Sequence, residues 1–476
     1  MTEGTTQAYI NGASVAAADT YDNIDPATGQ VLGAVARCGA AEVDQAVEAA
    51  RQAQPAWNAT LPEHRARMLT TIADLIERDA ERLARLESED TGKPISQART
   101  DATVCARYFR FYGHAIDSYY SHTIPLAQDV HVYTRNEPFG VVGSVVAWNY
   151  PLQLLARAVA PAVATGNATI IKPADETPRT AVEVAKLATE AGLPAGIFNV
   201  VPGIGAEAGA ALAAHPQVAH IGFVGSPEVG SKIAHAAADR VAPALLELGG
   251  KSAHVVFGDA DLDTVATFAT KAILQNAGQT CSAGSRLLVD RSVHDELIAK
   301  VAENFGKVTV GRGLDDPDLG PLVSTKQQSR VVGMVDRLGR GEVIVGGDVP
   351  KDDDLAGGAY YSATLIDGVD PQSEIAQQEV FGPVLAAMTF DSEEEAVALA
   401  NGTDYALLGA VWTRDVGRAH RLAGQVQAGQ VYVNTYGAGG GVELPFGGFK
   451  RSGYGREKGI EALDAYTQTK TVVVKL

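Results

Sequence analysis

The stretch from Gly278 to Arg286 reads GQTCSAGSR and sets Cys281 among small, mostly polar neighbours. A cysteine used as core filling behaves as a small hydrophobe and sits among Val, Leu and Ile. A nucleophilic cysteine needs an open approach, nearby donors and a depressed pKa. Small neighbours leave the Cys281 sulfur approachable, which favours the second use; a structural thiol stays the alternative. Glu247 ends the apolar run PALLELGG, ahead of Gly249, Gly250 and Lys251. A carboxylate there carries a desolvation penalty unless it is paired or useful. Burial raises its pKa towards neutrality, as a general base requires; the alternative is an ion pair with Lys251 or Arg240. Asn149, in AWNYP, either bonds the backbone of a turn or lends its amide N–H to an oxyanion.

Other residues suggest a phosphate or ribose contact. Gly225, Ser226 and Gly230, in GSPEVG, run from a strand end into a helix, whose first N–H groups and dipole favour anions. The pattern lacks the Lys-Ser/Thr of a P-loop. Lys172, ending IIKP, is either a solvated strand end or a ligand contact. Glu379 and Phe381, in EVFGPV, read by default as a surface carboxylate and a core aromatic.

These residues must be positioned by a large chain. At 476 residues, with roughly 150 per domain, about three domains are expected. Hydrophobic residues make up 46% and charged residues 20%, the proportions of a globular protein in water. A net charge of −18 repels phosphate backbones and anionic lipid, so neither nucleic acid nor membrane is expected as a partner. The N-terminus MTEGTTQAYING shows no secretory pattern, and no apolar run is long enough for a bilayer. Cys38, Cys105 and Cys281 fit neither a disulfide framework nor a zinc spacing, and the ten histidines show no ligand pattern. A cytoplasmic setting without metal is expected.

Helical signals cover 41–53 and 62–90, where Met68, Ile72, Leu75 and Ile76 share a face. From 139 onwards, apolar runs at 139–148, 168–173, 197–203, 220–225 and 243–250 alternate with Ala-rich helical stretches. This is the pattern of a parallel sheet buried on both faces, with ligands bound beyond the carboxyl ends of its strands. Trp148, Lys172, Gly203, Gly225 and Glu247 would all emerge there. A second α/β pattern follows Cys281. The segment 120–138 and the terminal TQTKTVVVKL read as exposed strands that need a partner, which points to subunit pairing. The fold class is therefore α/β, with two Rossmann-like parallel-sheet domains and a small β oligomerisation element. The expected division is 1–119 with 139–249 for a dinucleotide, 250–448 for catalysis, and 120–138 with 466–476 for oligomerisation.

The segments ELGGK (247–251), GQTCSAGSR (278–286), EVFGPV (379–384) and PFGGFKRSGYGRE (445–457) together resemble the aldehyde dehydrogenase superfamily over essentially the whole length. The 34-residue separation of Glu247 and Cys281 is similar to that family's spacing of base and nucleophile. The resemblance implies NAD(P)-dependent oxidation of an aldehyde to a carboxylic acid. It makes Cys281 the nucleophile, Asn149 with the Cys281 N–H the oxyanion donors, and Glu247 the base that activates water. It assigns Lys172 and Asp175 to the adenosine ribose, Gly205 and Gly209 to the adenine side, and Gly225, Ser226 and Gly230 to the phosphates. Glu379 is assigned to the nicotinamide ribose and Phe381 to the neighbourhood of the ring, with Val145, Trp148, Phe223, Leu248 and Gly249 completing the cofactor site.

A carboxylate at Asp175 disfavours a 2′-phosphate, so NAD is expected, with NADP as the second candidate; many relatives carry the longer Glu there. Many also carry a Lys at the position of Ala158, working with a Glu that matches Glu457. This chain has Glu457 but not that Lys, so its proton route is expected to differ. Tyr150, Leu154, Arg157, Gln275, Thr280, Ser282 and Phe446 align with the substrate tunnel. Arg157 there suggests an aldehyde that also bears a carboxylate or phenolic oxygen, unless Arg157 pairs with an acid such as Glu457. The aldehyde substrate is joined by a homodimeric or homotetrameric assembly as the expected partner. Two alternatives stand beside this reading: a CoA-acylating dehydrogenase, and a catalytically silent binding protein on the same fold.

Overall fold

The computed structural model describes residues 4–437 and 441–476. Two sheets organise it. The first has eight strands in the spatial order Ala13–Val15, Ala8–Ile10, Phe198–Val200, Ala168–Lys172, Val141–Val145, His220–Val224, Ala244–Glu247 and Gly453–Tyr454. Its five central strands are parallel, and the flanking ones are antiparallel. Every residue of Val141–Val145, Ala168–Lys172 and His220–Val224 is buried, as a sheet covered by helices on both faces requires.

The second sheet follows the order Glu342–Val345, Thr364–Asp367, Val384–Phe390, Arg286–Asp290, Ala253–Val256, Leu408–Trp412 and Gln430–Val433. Only its first strand is antiparallel. Each sheet carries its own apolar core.

Three elements differ from the sequence expectation. The span 62–90 is two helices, Pro62–Arg78 and Ala80–Thr91, hinged at Asp79, whose carboxylate accepts from Arg78 and Arg82. A further helix, Ile95–Ala115, buries Tyr108, Phe109 and Tyr112 and was not among the helices expected from the sequence. The terminal strand Thr467–Lys475 finds its partner within the chain. It pairs antiparallel with Val130–Pro138, from Thr467 opposite Pro138 to Lys475 opposite Val130.

The edge strand Gly453–Tyr454 holds the end of the strand that carries Glu247, because Gly453 pairs with Glu247 and Tyr454 with Leu246. Gly453 has φ +103°, and a Cβ there would lie 2.0 Å from the Leu246 carbonyl oxygen. Only glycine lets the two backbones approach so closely. Gly453→Ala is expected to destabilise the fold by about 1–3 kcal/mol, read as a lower Tm in calorimetry. An unchanged Tm would mean that this edge does not hold the Glu247 strand.

Candidate active site

The carboxyl ends of the first sheet open into a cavity of about 920 Å³, which also reaches the loop bearing Cys281. Glu247 is the last residue of its strand and is 1% exposed. Neither of its carboxylate oxygens has a hydrogen-bond partner. Lys251 and Arg240 do not pair with it: the Lys251 Nζ is itself unpartnered, and Arg240 donates to the Val218 carbonyl. Burial pushes the Glu247 carboxyl up to about 8; Arg157 opposes the shift, while Glu457 adds to it. The Cys281 thiol is close enough to act on this carboxyl, in a geometry that falls outside a hydrogen bond.

The backbone next to Glu247 is pressed against the nucleophile loop. A Cβ on Gly250 would lie 2.2 Å from the Cys281 carbonyl oxygen, and one on Gly249 would lie 2.4 Å from the Glu379 carboxylate. The Gly250 N–H donates to Glu379 Oε1 at 2.8 Å. The pair of glycines after Leu248 is thus dictated by close packing. Ser452 seals the other side, its hydroxyl donating to the Gly249 carbonyl at 2.7 Å.

Cys281 follows a strained turn. Asn276, Ala277 and Gly278 all have positive φ, and the Asn276 amide donates to the Asn149 carbonyl at 2.8 Å. Such backbone outliers concentrate at functional sites. Asn149 in turn donates one Nδ2 hydrogen to the Gln279 carbonyl at 3.0 Å, leaving the other for a ligand. No acceptor among the described residues takes the Cys281 N–H. Cys281 is partly exposed, whereas Cys38 and Cys105 are buried. Contrary to the depressed pKa expected of a nucleophile, burial, together with Glu247, pushes the Cys281 thiol of the free protein well above its ordinary range, with Arg157 opposing.

The helix Pro151–Ala164 positions Asn149 from the other side. Glu87 accepts the Leu152 N–H at its start and also binds Lys93, which lies 4.4 Å from the Tyr150 ring centroid. Asp101 takes the second contact of Lys93 and one from Gln153. A negative charge beside the first turn suits the helix dipole.

Of the sequence candidates, Trp148, Asn149, Tyr150, Leu154, Arg157, Gly225, Ser226, Glu247, Leu248, Gly249, Gln275, Thr280, Cys281, Ser282, Glu379, Phe381 and Phe446 all line this one cavity. Trp148 and Phe381 meet edge to face at 5.2 Å. Phe381 has φ +58° and Glu379 is half-buried with its carboxyl raised to about 7 by desolvation, so neither is an ordinary surface or core residue. Gly230 packs beneath Leu248, and Ser226 caps the helix Pro227–Ala238 by accepting the Val229 N–H.

Lys172, Asp175, Gly205, Gly209, Val145 and Phe223 are not in the cavity wall. All but Phe223 form a cluster of their own. Lys172 is buried, not solvated; it is ion-paired with Asp175, which also accepts the Gly205 N–H, and Gly209 packs near Val145 and Lys172. Arg157 is ion-paired with Glu457, both buried, so the open choice between a free tunnel cation and a paired one falls to the pair. Lys458 was not anticipated; it lines the cavity 4.8 Å from the Phe446 ring centroid, which Arg157 also approaches, at 4.9 Å. In the sequence it is one charge in a charged run, and only its pairing to the Phe446 segment turns it inward.

Among the described residues, no group of three His, Cys, Asp or Glu could hold a metal ion, and no helix is long and apolar enough to cross a membrane.

The profile of the aldehyde dehydrogenase family matches residues 14–472. The chain belongs to that family, and is an oxidoreductase acting on aldehydes. A solved Burkholderia cenocepacia protein assigned as an aldehyde dehydrogenase is 46% identical, covering 99% of this chain and 100% of its own, with a TM-score of 0.97. PnpE from Pseudomonas sp. WBC-3 is 39% identical, covering 99% and 98%, with a TM-score of 0.97. The P. syringae AldA indole-3-acetaldehyde dehydrogenase, a mutant solved with NAD+ and IAA, is 40% identical, covering 99% and 96%, with a TM-score of 0.96.

The raised Glu247 carboxyl has a measurable consequence. Its ordinary value is 4.5 and its folded value is about 8. Between these pH values the unfolded chain holds fewer protons than the folded one, so this residue lowers stability as pH rises and has no further effect above about pH 8. Glu247→Gln removes that slope. Chemical denaturation across the range should show the variant gaining on the wild type by up to a few kcal/mol towards alkaline pH; parallel stability curves would refute the buried charge.

Proposed function

We propose that the protein oxidises an aldehyde to the carboxylic acid with NAD, through covalent catalysis at Cys281. The observation that carries this reading is the meeting of Cys281, Glu247 and Asn149 in one cavity at the strand ends. The thiolate attacks the carbonyl carbon, forming a C–S bond, and the oxygen takes up the charge. The Nδ2 hydrogen of Asn149 that Gln279 does not take and the Cys281 N–H, both left without an acceptor among the described residues, would donate to that oxyanion. Bound NAD would supply the hydride acceptor for this oxidation, and the Cys281 sulfur would keep the acyl group. Glu247, held apart from other partners, takes a proton from water, and the resulting hydroxide releases the acid and the thiolate. A base at this position favours water over CoA as acceptor, and the complete trio argues against a silent binding protein.

The residues present fit a dinucleotide. Trp148 and Phe381 form an aromatic wall beside Glu379, and the capped helix start at Ser226 opens at the same strand ends. Lys172 and Asp175, with Gly205, are assigned to the adenosine ribose, and the Asp175 carboxylate favours NAD over NADP. Solved relatives bound to NAD support the same choice. The regions 1–119 with 139–249 are read as the dinucleotide-binding domain and 250–448 as the catalytic one. The exposed strand pair at 130–138 and 467–475, with Val473 62% exposed, suits a homo-oligomer of two or four subunits in the cytoplasm.

For the substrate, an aromatic aldehyde is favoured by a cavity that presents Tyr150, Tyr432, Tyr436 and Phe446, and by the indole-3-acetaldehyde dehydrogenase among its relatives. A carboxylate-bearing aldehyde is the second reading; it requires Arg157 to leave Glu457. Arg157→Ala should then lower kcat/KM for acidic aldehydes more than for aliphatic ones, and equal losses would remove that reading.

The main test follows NADH absorbance with aliphatic, aromatic and carboxylated aldehydes, with and without CoA. Cys281→Ser is expected to lose at least about 10³-fold in kcat, and Asn149→Ala about 10²–10³-fold. Full NADH formation by the serine variant, or a strict need for CoA, would overturn the scheme.

A further inference from the structure

Lys458 is a lysine with no ion-pair or hydrogen-bond partner among the described residues, yet it faces the chamber that holds Cys281 and Glu247. Its backbone has little freedom. Phe446 and Glu457 exchange two backbone hydrogen bonds of 2.7 Å, and the Gly459 N–H donates to the Val442 carbonyl at 2.8 Å. Between these anchors Lys458 is held at φ +60°, a region that lysine rarely adopts. The held backbone sends the ammonium across the Phe446 ring, which Arg157 faces from the helix Pro151–Ala164.

The charges around it are unequal. Arg157 is committed to Glu457. Glu247, from its strand end, and Cys281, from its loop, both act on Lys458 and draw its charge towards them, as does Glu457. Glu379, Tyr150 and Tyr436 also face Cys281. The sulfur therefore sits among groups of negative or potentially negative charge, opposed only by Arg157, whose own charge is shared with Glu457, and burial already disfavours its thiolate. A thiolate in such a place needs a nearby cation.

We propose that Lys458 is the counter-ion of the Cys281 thiolate, taking up the thiol proton as the S–H bond breaks and a third N–H bond forms on its Nζ. The inference rests on Cys281 being the nucleophile. It leaves Glu247 free for the later activation of water. Desolvation and Arg157 bring the Lys458 ammonium down to about 7, so its neutral amine is accessible near neutral pH as a proton acceptor.

The test measures the rate of Cys281 alkylation by iodoacetamide in the free enzyme across neutral and alkaline pH, with the modified cysteine identified by mass spectrometry. Lys458→Met should raise the midpoint of the alkylation profile by about one pH unit or more, as expected for the loss of one nearby charge. Lys458→Arg keeps a cation and should hold the midpoint at or below that of the wild type. Lys458→Gln provides a second neutral variant should the methionine variant fold poorly, judged by circular dichroism. An unmoved midpoint in the folded neutral variants, or an arginine variant that behaves like methionine, overturns the proposal. A midpoint that tracks the charge at 458 in a protein without aldehyde activity would support the ion pair while refuting the proposed reaction.

Discussion

A carboxylate with no hydrogen-bond partner at the end of a buried strand is the constraint on which this structure turns. Glu247 has neighbours on both sides, the parallel strand His220–Val224 and the short edge Gly453–Tyr454, so its backbone is fixed while its side chain stays unsatisfied. Leaving a polar group in that state costs about 1–3 kcal/mol, more when it is charged. Such an arrangement persists only when the surrounding ladders over-determine it. The same desolvation that makes the residue costly makes it basic enough to take a proton from water.

The close approach of two sheets results from that placement. The chain leaves Glu247 through Gly249 and Gly250, and their missing side chains let the Cys281 carbonyl and the Glu379 carboxylate pack against the backbone. The nucleophile loop and the base are thus joined through main chain. Asn149 is tied in by its carbonyl to Asn276 and by its amide to Gln279. Three catalytic candidates from three distant parts of the sequence share one rigid frame, and a frame of backbone contacts holds position better than one of long side chains.

Charge in the chamber is arranged in pairs with one remainder. Arg157 and Glu457 neutralise each other, as do Lys172 and Asp175 in their own cluster. What is left is Glu247, Glu379 and Lys458, each drawn towards neutrality by desolvation, beside a Cys281 thiol pushed well above its ordinary range. The ionisation of each depends on the others.

Much of this was legible in the residues alone. The alternation of apolar runs and helical stretches from 139 onwards announced parallel strands, because strands buried on both faces are predominantly apolar rather than alternating. The types and surroundings of Cys281, Glu247 and Asn149 marked them as chemical, since each is poorly suited to a bland role where it stands. Pairings between distant segments were another matter. Whether Arg157 meets a substrate or Glu457, whether the terminal strand pairs within the chain or outside it, and that Lys458 turns inward all depend on contacts between segments far apart in the chain. Local sequence encodes backbone preference and polarity, but the partner of a charge is set by which surfaces the packed core brings together.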